Sequence, residues 1–101
     1  MNITRNISAD GKVLTISVNG KFNFPHYNDF REAYENVADG IEQYIIDLSQ
    51  TSEIDTAVIG MLMVMREYIN LDSHKIVIRN CNAAVLDIML SANLDKLFII
   101  R

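Results

Sequence analysis

The sequence predicts a single α/β domain, residues 1–101, in which helices pack on a mixed β-sheet. The chain opens with two β-type segments joined across an Asp-Gly turn, which is a strong hairpin signal. Short apolar runs then alternate with longer helical patterns, as is typical of right-handed βαβ units with parallel strands. At 101 residues, 50% of them hydrophobic, the chain is long enough for one core but not for two.

The predicted elements follow the order β-β-α-β-α-β-α-β. The opening antiparallel hairpin pairs residues 3–7 with residues 13–18. Apolar residues from Tyr27 to Val37, spaced by three or four, form one face of the first helix. We expect that helix to hold Pro25 in its first turn and to end at Gly40. The remaining predicted elements are strand 44–48, helix 56–71, strand 75–79, helix 83–92 and strand 97–100.

Residues 47–60 carry the functional signal. They lead from a predicted buried strand, through a short polar turn, to the start of an apolar helix at Asp55 and Thr56. A helix N-terminus presents unpaired N–H groups and about half a positive charge. Asp55 suits the capping position, and a phosphate on the Thr56 hydroxyl would be tolerated there. From the residues alone, a simple capped helix start and a modifiable hydroxyl both remain open.

The helix that follows is apolar on nearly all sides from residue 57 to residue 65. A core position explains most of these side chains but not those that must face outward. We therefore expect Ile59, Met63 or their neighbours to contact a partner, because exposed apolar patches mark interaction sites. A glycine inside a helix costs about 1 kcal/mol relative to alanine, so we expect Gly60 to permit close helix packing.

The same segments resemble the STAS domain, and most closely the stand-alone anti-sigma factor antagonists of bacteria. Residues 47–49 (Asp-Leu-Ser) and 55–60 stand where that family has a strand ending in Asp/Asn-Leu-Ser and then Asp-Ser-Ser-Gly-Leu-Gly. Residues 20–23 match its Gly-x-Leu-Asp turn, and residues 93–100 resemble its last strand. Three positions depart from the pattern: Ala57 replaces the second hydroxyl, Val58 the first glycine and Asn23 the aspartate. The chain stops at Arg101, where the resemblance leads us to expect a further helix to be missing.

The resemblance implies a STAS-like sheet and a phosphorylation-controlled protein-binding switch with Thr56 as phosphoacceptor. The unmodified protein would bind an anti-sigma factor or a similar regulator and so free a sigma factor. A serine/threonine protein kinase would add the phosphate, and a PP2C-type phosphatase would remove it. The residues alone favour a capping role for Asn23. The expected partner-binding residues are Asn23, Phe24, Ser52, Glu53, Asp55, Ala57, Ile59, Gly60 and Met63.

Three alternatives are left open. A STAS scaffold could apply the same switch to another signalling protein, such as a histidine kinase or a cyclic-nucleotide signalling protein. A STAS domain that binds a small molecule or nucleotide would use the loop before Thr56 without phosphorylation. A small enzyme would need Cys81 as nucleophile, but His74 is badly placed to act as its base. We expect no catalytic residues, no cofactor and no metal site, since two histidines are too few and too scattered.

Composition limits the classes of binding partner and the cellular compartment that we expect for this protein. A net charge of −4 without any Lys/Arg cluster argues against direct nucleic-acid binding. The first residues lack the apolar core of a signal peptide, and the most apolar run is far too short for a membrane span. One cysteine, Cys81, allows no internal disulfide. We therefore expect a cytoplasmic protein that does not enter a membrane.

Overall fold

The computed structural model describes residues 2–37, 39–69 and 75–101. The strands are β1 (Ile3–Ile7), β2 (Val13–Val18), β3 (Gly20–Phe22), β4 (Gln43–Asp47), β5 (Thr51–Ile54), β6 (Lys75–Arg79) and β7 (Ile99–Ile100). The α-helices are α1 (Tyr27–Glu35), α2 (Ala57–Ile69) and α3 (Ala83–Ser91). Two 3-10 turns, Phe24–His26 and Leu94–Lys96, precede α1 and β7.

The larger sheet has the strand order β1-β2-β4-β6-β7. β1 runs antiparallel to β2, and the neighbouring pairs from β2 through β7 are parallel. Each crossover from β2 to β7 steps in the same direction, so right-handed connections place α1, α2 and α3 on one face. The predicted mixed sheet, a hairpin followed by parallel βαβ units, is confirmed.

The core lies between that face of the sheet and the helices. Along β2, Leu14, Ile16 and Val18 have no exposed surface, while the residues between them are half-buried. This alternation is what a strand covered by helices on one face requires. The largest side chains completing the core from β3 and the helices are Phe22, Phe30, Tyr34, Leu62, Met65 and Met89. Each fully buried side chain of this size contributes about 1.5–3 kcal/mol.

A second, two-stranded sheet, β3 with β5, was not predicted. Its strands run parallel and pair residues 20–22 with residues 51–54. Gly20 has a φ of +82°, a conformation that favours glycine and lets the chain turn out of β2. The buried Thr51 hydroxyl donates to the carbonyl of Val18 at 2.8 Å. The pair therefore holds the segment after β2 beside the segment that leads into α2.

The end of α1 differs from the prediction. The helix stops at Glu35, five residues before Gly40, so Gly40 does not terminate it. The guanidinium of Arg5 on β1 donates instead to the carbonyls of Ala33 and Asn36. A cationic side chain from a neighbouring strand thus satisfies carbonyls that a helix end leaves unpaired. Gly40, with a φ of +108°, serves the loop before β4.

The last predicted strand is shorter than expected. Asn93 adopts a φ of +59°, and the 3-10 turn that follows draws the N–H of Phe98 to the carbonyl of Leu94 at 2.8 Å. Residues 97 and 98 are therefore not part of β7. Predicted bounds of β4 and of the start of α2 differ by one residue from those observed, as does the end of α3. The predicted end of the second helix at Leu71 lies outside the described residues, as does His74.

Candidate functional site

Asp55 joins the start of α2 to the segment that precedes α1. Its Oδ1 accepts the N–H of Val58, and its Oδ2 accepts the N–H of Phe24, both at 3.3 Å. Its own N–H donates to the carbonyl of Phe22 at 3.3 Å. The predicted cap is therefore present, and the same carboxylate also connects two segments that lie 31 residues apart in sequence.

Thr56 follows this cap and is exposed. Its carbonyl accepts the N–H of Ile59 at 3.2 Å, which places it in the first turn of α2. The partial positive charge of the helix N-terminus lies at this position. Thr56 therefore lies at the surface, where the helix dipole favours added negative charge and the neighbouring Asp55 carboxylate opposes it.

An open groove runs between the start of α2 and the outer side of α3. Thr56 and Ile59 form one wall, and the other comes from α3. The groove encloses about 360 Å³. The α3 residues lining it are Asp87, Ile88, Ser91 and Ala92. Its walls are mostly apolar, and Asp87 is the one charged residue among the described residues that line it.

Asn23 and Phe24 lie beside Asp55. Asn23 occupies the N-cap position of the first 3-10 turn in an extended conformation. Its carbonyl accepts the N–H of His26 at 3.0 Å and its N–H donates to Nδ1 of His26 at 3.4 Å, whereas its Oδ1 has no hydrogen-bond partner among the described residues. Phe24 is 62% exposed, and its ring stacks on that of Tyr27 with centroids 6.1 Å apart. A large exposed aromatic ring beside a helix start is a feature of protein-binding surfaces.

Ser52 and Glu53 are exposed on β5, at the edge of the same region. Glu53 forms an ion pair with Lys21 at 3.4 Å, in which both side chains are mostly exposed. Such surface pairs contribute little to stability. The side-chain amide of Asn82 donates to the carbonyls of Thr51 and Ser52 at 3.3 and 3.1 Å and so ties β5 to the start of α3.

The outward side of α2 differs from the one expected. Ala57, Ile59 and Met63 are half-buried, and the last two pack against the core. Residues spaced by four, which share one side of a helix, form the exposed stripe. That stripe consists of Thr56, Gly60, Val64 and Tyr68.

The expectation that Gly60 permits close packing is wrong. Gly60 is exposed, and a methyl group added there would meet no atom within 4 Å. Its position on the outward stripe of α2 explains this, because no described residue packs against the helix at Gly60.

Sequence reasoning missed the contribution of α3 and of Val64. A usable signal was present, since α3 contains a single charged residue, Asp87, and is as apolar as α2. A helix that is apolar on all sides must either be fully enclosed or expose part of its apolar surface. In the structure α3 exposes part of its apolar surface, with Ile88 36% and Leu90 44% exposed.

Asp47 fixes the turn between β4 and β5. Its Oδ1 accepts the N–H of Ser49 at 2.9 Å and an amide hydrogen of Asn80 at 3.3 Å, and Arg79 lies 3.6 Å from its Oδ2. Burial acts to raise the pKa of Asp47, but these hydrogen bonds and the Arg79 charge together lower it below the usual 3.8. The carboxylate is therefore held ionised at the end of the sheet from which α2 departs.

The described residues give little support for a cysteine nucleophile, a metal site or a membrane-spanning helix. Cys81 is half-buried, and this burial raises the pKa of its thiol, which disfavours the nucleophilic thiolate. Residues 2–37, 39–69 and 75–101 include no cluster of three His, Cys, Asp or Glu side chains able to hold a metal ion. In those ranges no helix has both the length and the apolar character that crossing a bilayer demands.

Comparison with known proteins gives two matches in sequence. A family model described as "Mlab, STAS domain" matches residues 6–101. A STAS-domain containing protein of Pseudomonas aeruginosa strain UCBPP-PA14 is 38% identical over 98 residues, which make up 97% of each chain.

Solved structures give the same fold. A crystal structure described as an anti-sigma factor antagonist of Thermotoga maritima superposes with a TM-score of 0.82, over 97% of this chain and 84% of that one, at 19% identity. The anti-sigma factor antagonist SpoIIAA in its unphosphorylated form gives a TM-score of 0.70, over 98% and 86% of the two chains, at 8% identity. The Bacillus cell fate determinant SpoIIAA in its phosphorylated form gives 0.67, over 98% and 90%, at 11% identity.

Proposed function

Because this chain belongs to the STAS domain family, we propose that it is a protein-binding switch controlled by phosphorylation of Thr56. In its unmodified form it binds an anti-sigma factor or a similar regulator. One observation supports the proposal: Thr56 is exposed at the start of α2, at one wall of an apolar groove. A single modification can thus alter a docking surface directly.

The fold can accept the phosphate. A phosphothreonine adds about −1.5 to −2 charges at neutral pH. The dipole at the start of α2 favours that charge, while the neighbouring carboxylate of Asp55 opposes it. No buried group has to move to make room, since Thr56 already faces solvent. Modification therefore changes the surface and leaves the core packing intact.

The groove explains why binding would weaken. A segment docked between α2 and α3 covers Ile59 and Ile88 and removes water from Thr56 beside them. A phosphate there would have to shed its hydration against mostly apolar surface, which is strongly unfavourable for an unpaired charge. Exposed Phe24, linked to the same site through Asp55, extends the docking surface beyond the groove.

The enzymes of the switch act on this protein, which is itself substrate and ligand. A serine/threonine protein kinase adds the phosphate to Thr56, and a PP2C-type phosphatase removes it, in the cytoplasm. Support comes from structural neighbours described as anti-sigma factor antagonists and from SpoIIAA, which is known in unphosphorylated and phosphorylated forms. The β-methyl of threonine requires a kinase that accepts a branched acceptor residue.

The test compares two substitutions that add one negative charge at equivalent positions. Thr56→Glu and Ala83→Glu each introduce an acid directly after a helix cap, at an exposed residue of α2 or α3. Each variant serves as bait in lysate from the native cell, and the captured partner is then titrated as a purified protein. We expect Thr56→Glu to weaken binding about tenfold or more, and Ala83→Glu to change it less than about twofold.

Circular dichroism should be unchanged in both variants. An unchanged affinity for Thr56→Glu, or an equal loss in both variants, would refute a role specific to Thr56.

A further inference from the structure

The outer edge of β1 is a hydrogen-bonding surface of the larger sheet that no described strand occupies. β1 stands first in the strand order, and among the described strands it pairs only with β2. It is five residues long, contains no proline, and is exposed from Thr4 to Ile7. An edge strand of this kind can bind a further strand through main-chain hydrogen bonds.

The hydrogen bonds at the two ends of the β1–β2 hairpin show which residues face that edge. At one end the N–H of Ser8 donates to the carbonyl of Val13 at 2.9 Å. At the other end the carbonyl of Asn2 accepts an N–H at 2.6 Å. In an antiparallel pair, residues bonded to the neighbouring strand alternate with residues whose N–H and C=O point away from it. Even-numbered residues of β1 therefore bond to β2, whereas Arg5 and Ile7 direct their backbone groups to the free edge.

A cavity of about 250 Å³ lies beside this edge, between β1 and α1. The helix side of the cavity consists of residues spaced by three or four: Asp29, Glu32, Ala33 and Asn36. Side chains alternate between the two faces of a strand, so every second residue of an added strand would point into this cavity. Ile7, which pairs with the fully buried Leu14, lies on the same face of the sheet and is 41% exposed. The edge thus offers both a polar cavity and an apolar contact.

The charges of the described lining residues favour a basic side chain in the cavity. Asp29 and Glu32 are exposed, and neither forms an ion pair with another described residue. The guanidinium of Arg5 also lines the cavity, but it already donates to the carbonyls of Ala33 and Asn36. A Lys or Arg side chain of an added strand would pair with the two carboxylates, and the net charge of −4 attracts a basic segment.

The same charges disfavour a second copy of this chain at the edge. An antiparallel pair of β1 strands from two copies would continue the sheet around a twofold axis perpendicular to it. Both α1 helices would then lie on the same face, with Asp29 and Glu32 of each copy directed to the junction. Like charges that approach in this way oppose association.

We propose that the free edge of β1 binds an extended basic segment of a partner protein by strand addition. The segment hydrogen bonds to the backbone of Arg5 and Ile7. One of its Lys or Arg side chains lies beside Asp29 and Glu32, and an apolar side chain two residues away contacts Ile7. The site shares no residue with the groove at Thr56, so it does not depend on the proposed switch.

The test uses the peptide Ac-Thr-Val-Thr-Lys-Thr-Val-Thr-NH2, which has Val, Lys and Val on one face whichever way the strand runs. One control peptide has Glu in place of Lys, and another keeps Lys but is methylated on its backbone nitrogens. Amide chemical shifts of the full-length protein are followed by NMR, with KCl holding the ionic strength constant. We expect saturable shifts at Arg5 and Ile7 with the lysine peptide, about threefold or more weaker binding of the glutamate peptide, and no saturable shifts with the methylated one.

Three results would overturn the proposal. These are no saturation with the lysine peptide, equal affinity for the lysine and glutamate peptides, or undiminished binding of the methylated peptide. Shifts at Arg5 and Ile7 that appear on concentrating the protein without peptide would assign the edge to a second copy and overturn it as well.

Substitutions in the protein locate the basic side chain. Glu32→Gln removes one carboxylate from the cavity, and Glu67→Gln removes one from an exposed position of α2 as its matched control. We expect the affinity for the lysine peptide to fall about 2- to 4-fold in Glu32→Gln and to stay unchanged in Glu67→Gln. Thr56→Glu should bind the peptide as wild type does, which keeps this test separate from that of the switch. An unchanged affinity in Glu32→Gln, or an equal loss in both Gln variants, would contradict the assignment.

Discussion

Two helix starts in this molecule are nearly the same in sequence but differ in how they are held. α2 begins with Asp55-Thr56-Ala57-Val58, and α3 begins with Asn82-Ala83-Ala84-Val85. In each, a side-chain oxygen of the first residue accepts the N–H of the valine three residues later. The distance is 2.8 Å at Asn82 and 3.3 Å at Asp55.

The two starts also differ in their other contacts. The Asn82 amide donates to two carbonyls of β5, so its side chain is engaged on both sides. Asp55 makes one further side-chain contact, with the N–H of Phe24 at 3.3 Å, and an exposed hydroxyl follows it. The comparison teaches that the same local motif can serve mainly as a structural anchor or can leave a helix start open for modification and binding.

The largest expected difference is in the free energy of unfolding. Asn82→Ala removes a short capping bond and leaves two carbonyls of β5 without their donor, so we expect a loss of about 2 kcal/mol. Asp55→Ala removes only two long hydrogen bonds, one exposed and one partly buried, for which we expect a loss of about 0.5–1 kcal/mol. Urea unfolding at neutral pH measures both values. Equal losses, or a larger loss for Asp55→Ala, would remove the distinction between the two starts.

Gly60→Ala tests whether the outer side of α2, one turn after Thr56, is uncovered. Gly60 faces outward one turn after Thr56, and an added methyl meets no atom within 4 Å. Because alanine is the better helix former, we expect the variant to be more stable by about 0.5–1 kcal/mol. Thermal unfolding should report a higher midpoint. A destabilised Gly60→Ala protein would mean that the outer side of α2 is covered.

Asp47→Asn gives the smallest expected effect and depends on pH. The folded-state pKa of Asp47 lies below its ordinary value of 3.8, so its ionised form adds stability above that pH. This contribution is lost as the pH falls through the folded-state pKa. We expect the variant to be less stable than wild type at pH 7 and the gap to shrink in acid, below about pH 4. Urea unfolding at both pH values tests this, and a gap of the same size at each would contradict it.

The sequence was sufficient for the order of the main elements because their signals are local. The Asp-Gly turn, the spacing from Tyr27 to Val37 and the short apolar runs all predict elements that the structure contains. The β3–β5 pair left no such signal, since its strands are three and four residues long and pair residues that lie 31 or 32 positions apart in the chain. The polar Ser52 and Glu53 made β5 look like part of a turn.

The candidate site could be predicted only in part, for a similar reason. Asp55 and Thr56 follow from a local capping pattern, and their neighbour Phe24 follows from the resemblance to a family. The wall supplied by Ile88 and Asp87 depends on how α3 packs beside α2, which periodicity does not reveal. The end of α1 likewise depends on Arg5, a residue of β1, and the sequence around the end of the helix does not predict that contact.

Phosphopeptide mapping of the protein isolated from its native cell tests the central claim most directly. Wild type and Thr56→Val, which keeps the branched shape and removes the hydroxyl, are purified under identical conditions. We predict one phosphate on Thr56 in a fraction of the wild-type molecules and none in Thr56→Val. A phosphate found at another residue, or the same modified fraction in both proteins, would contradict the account.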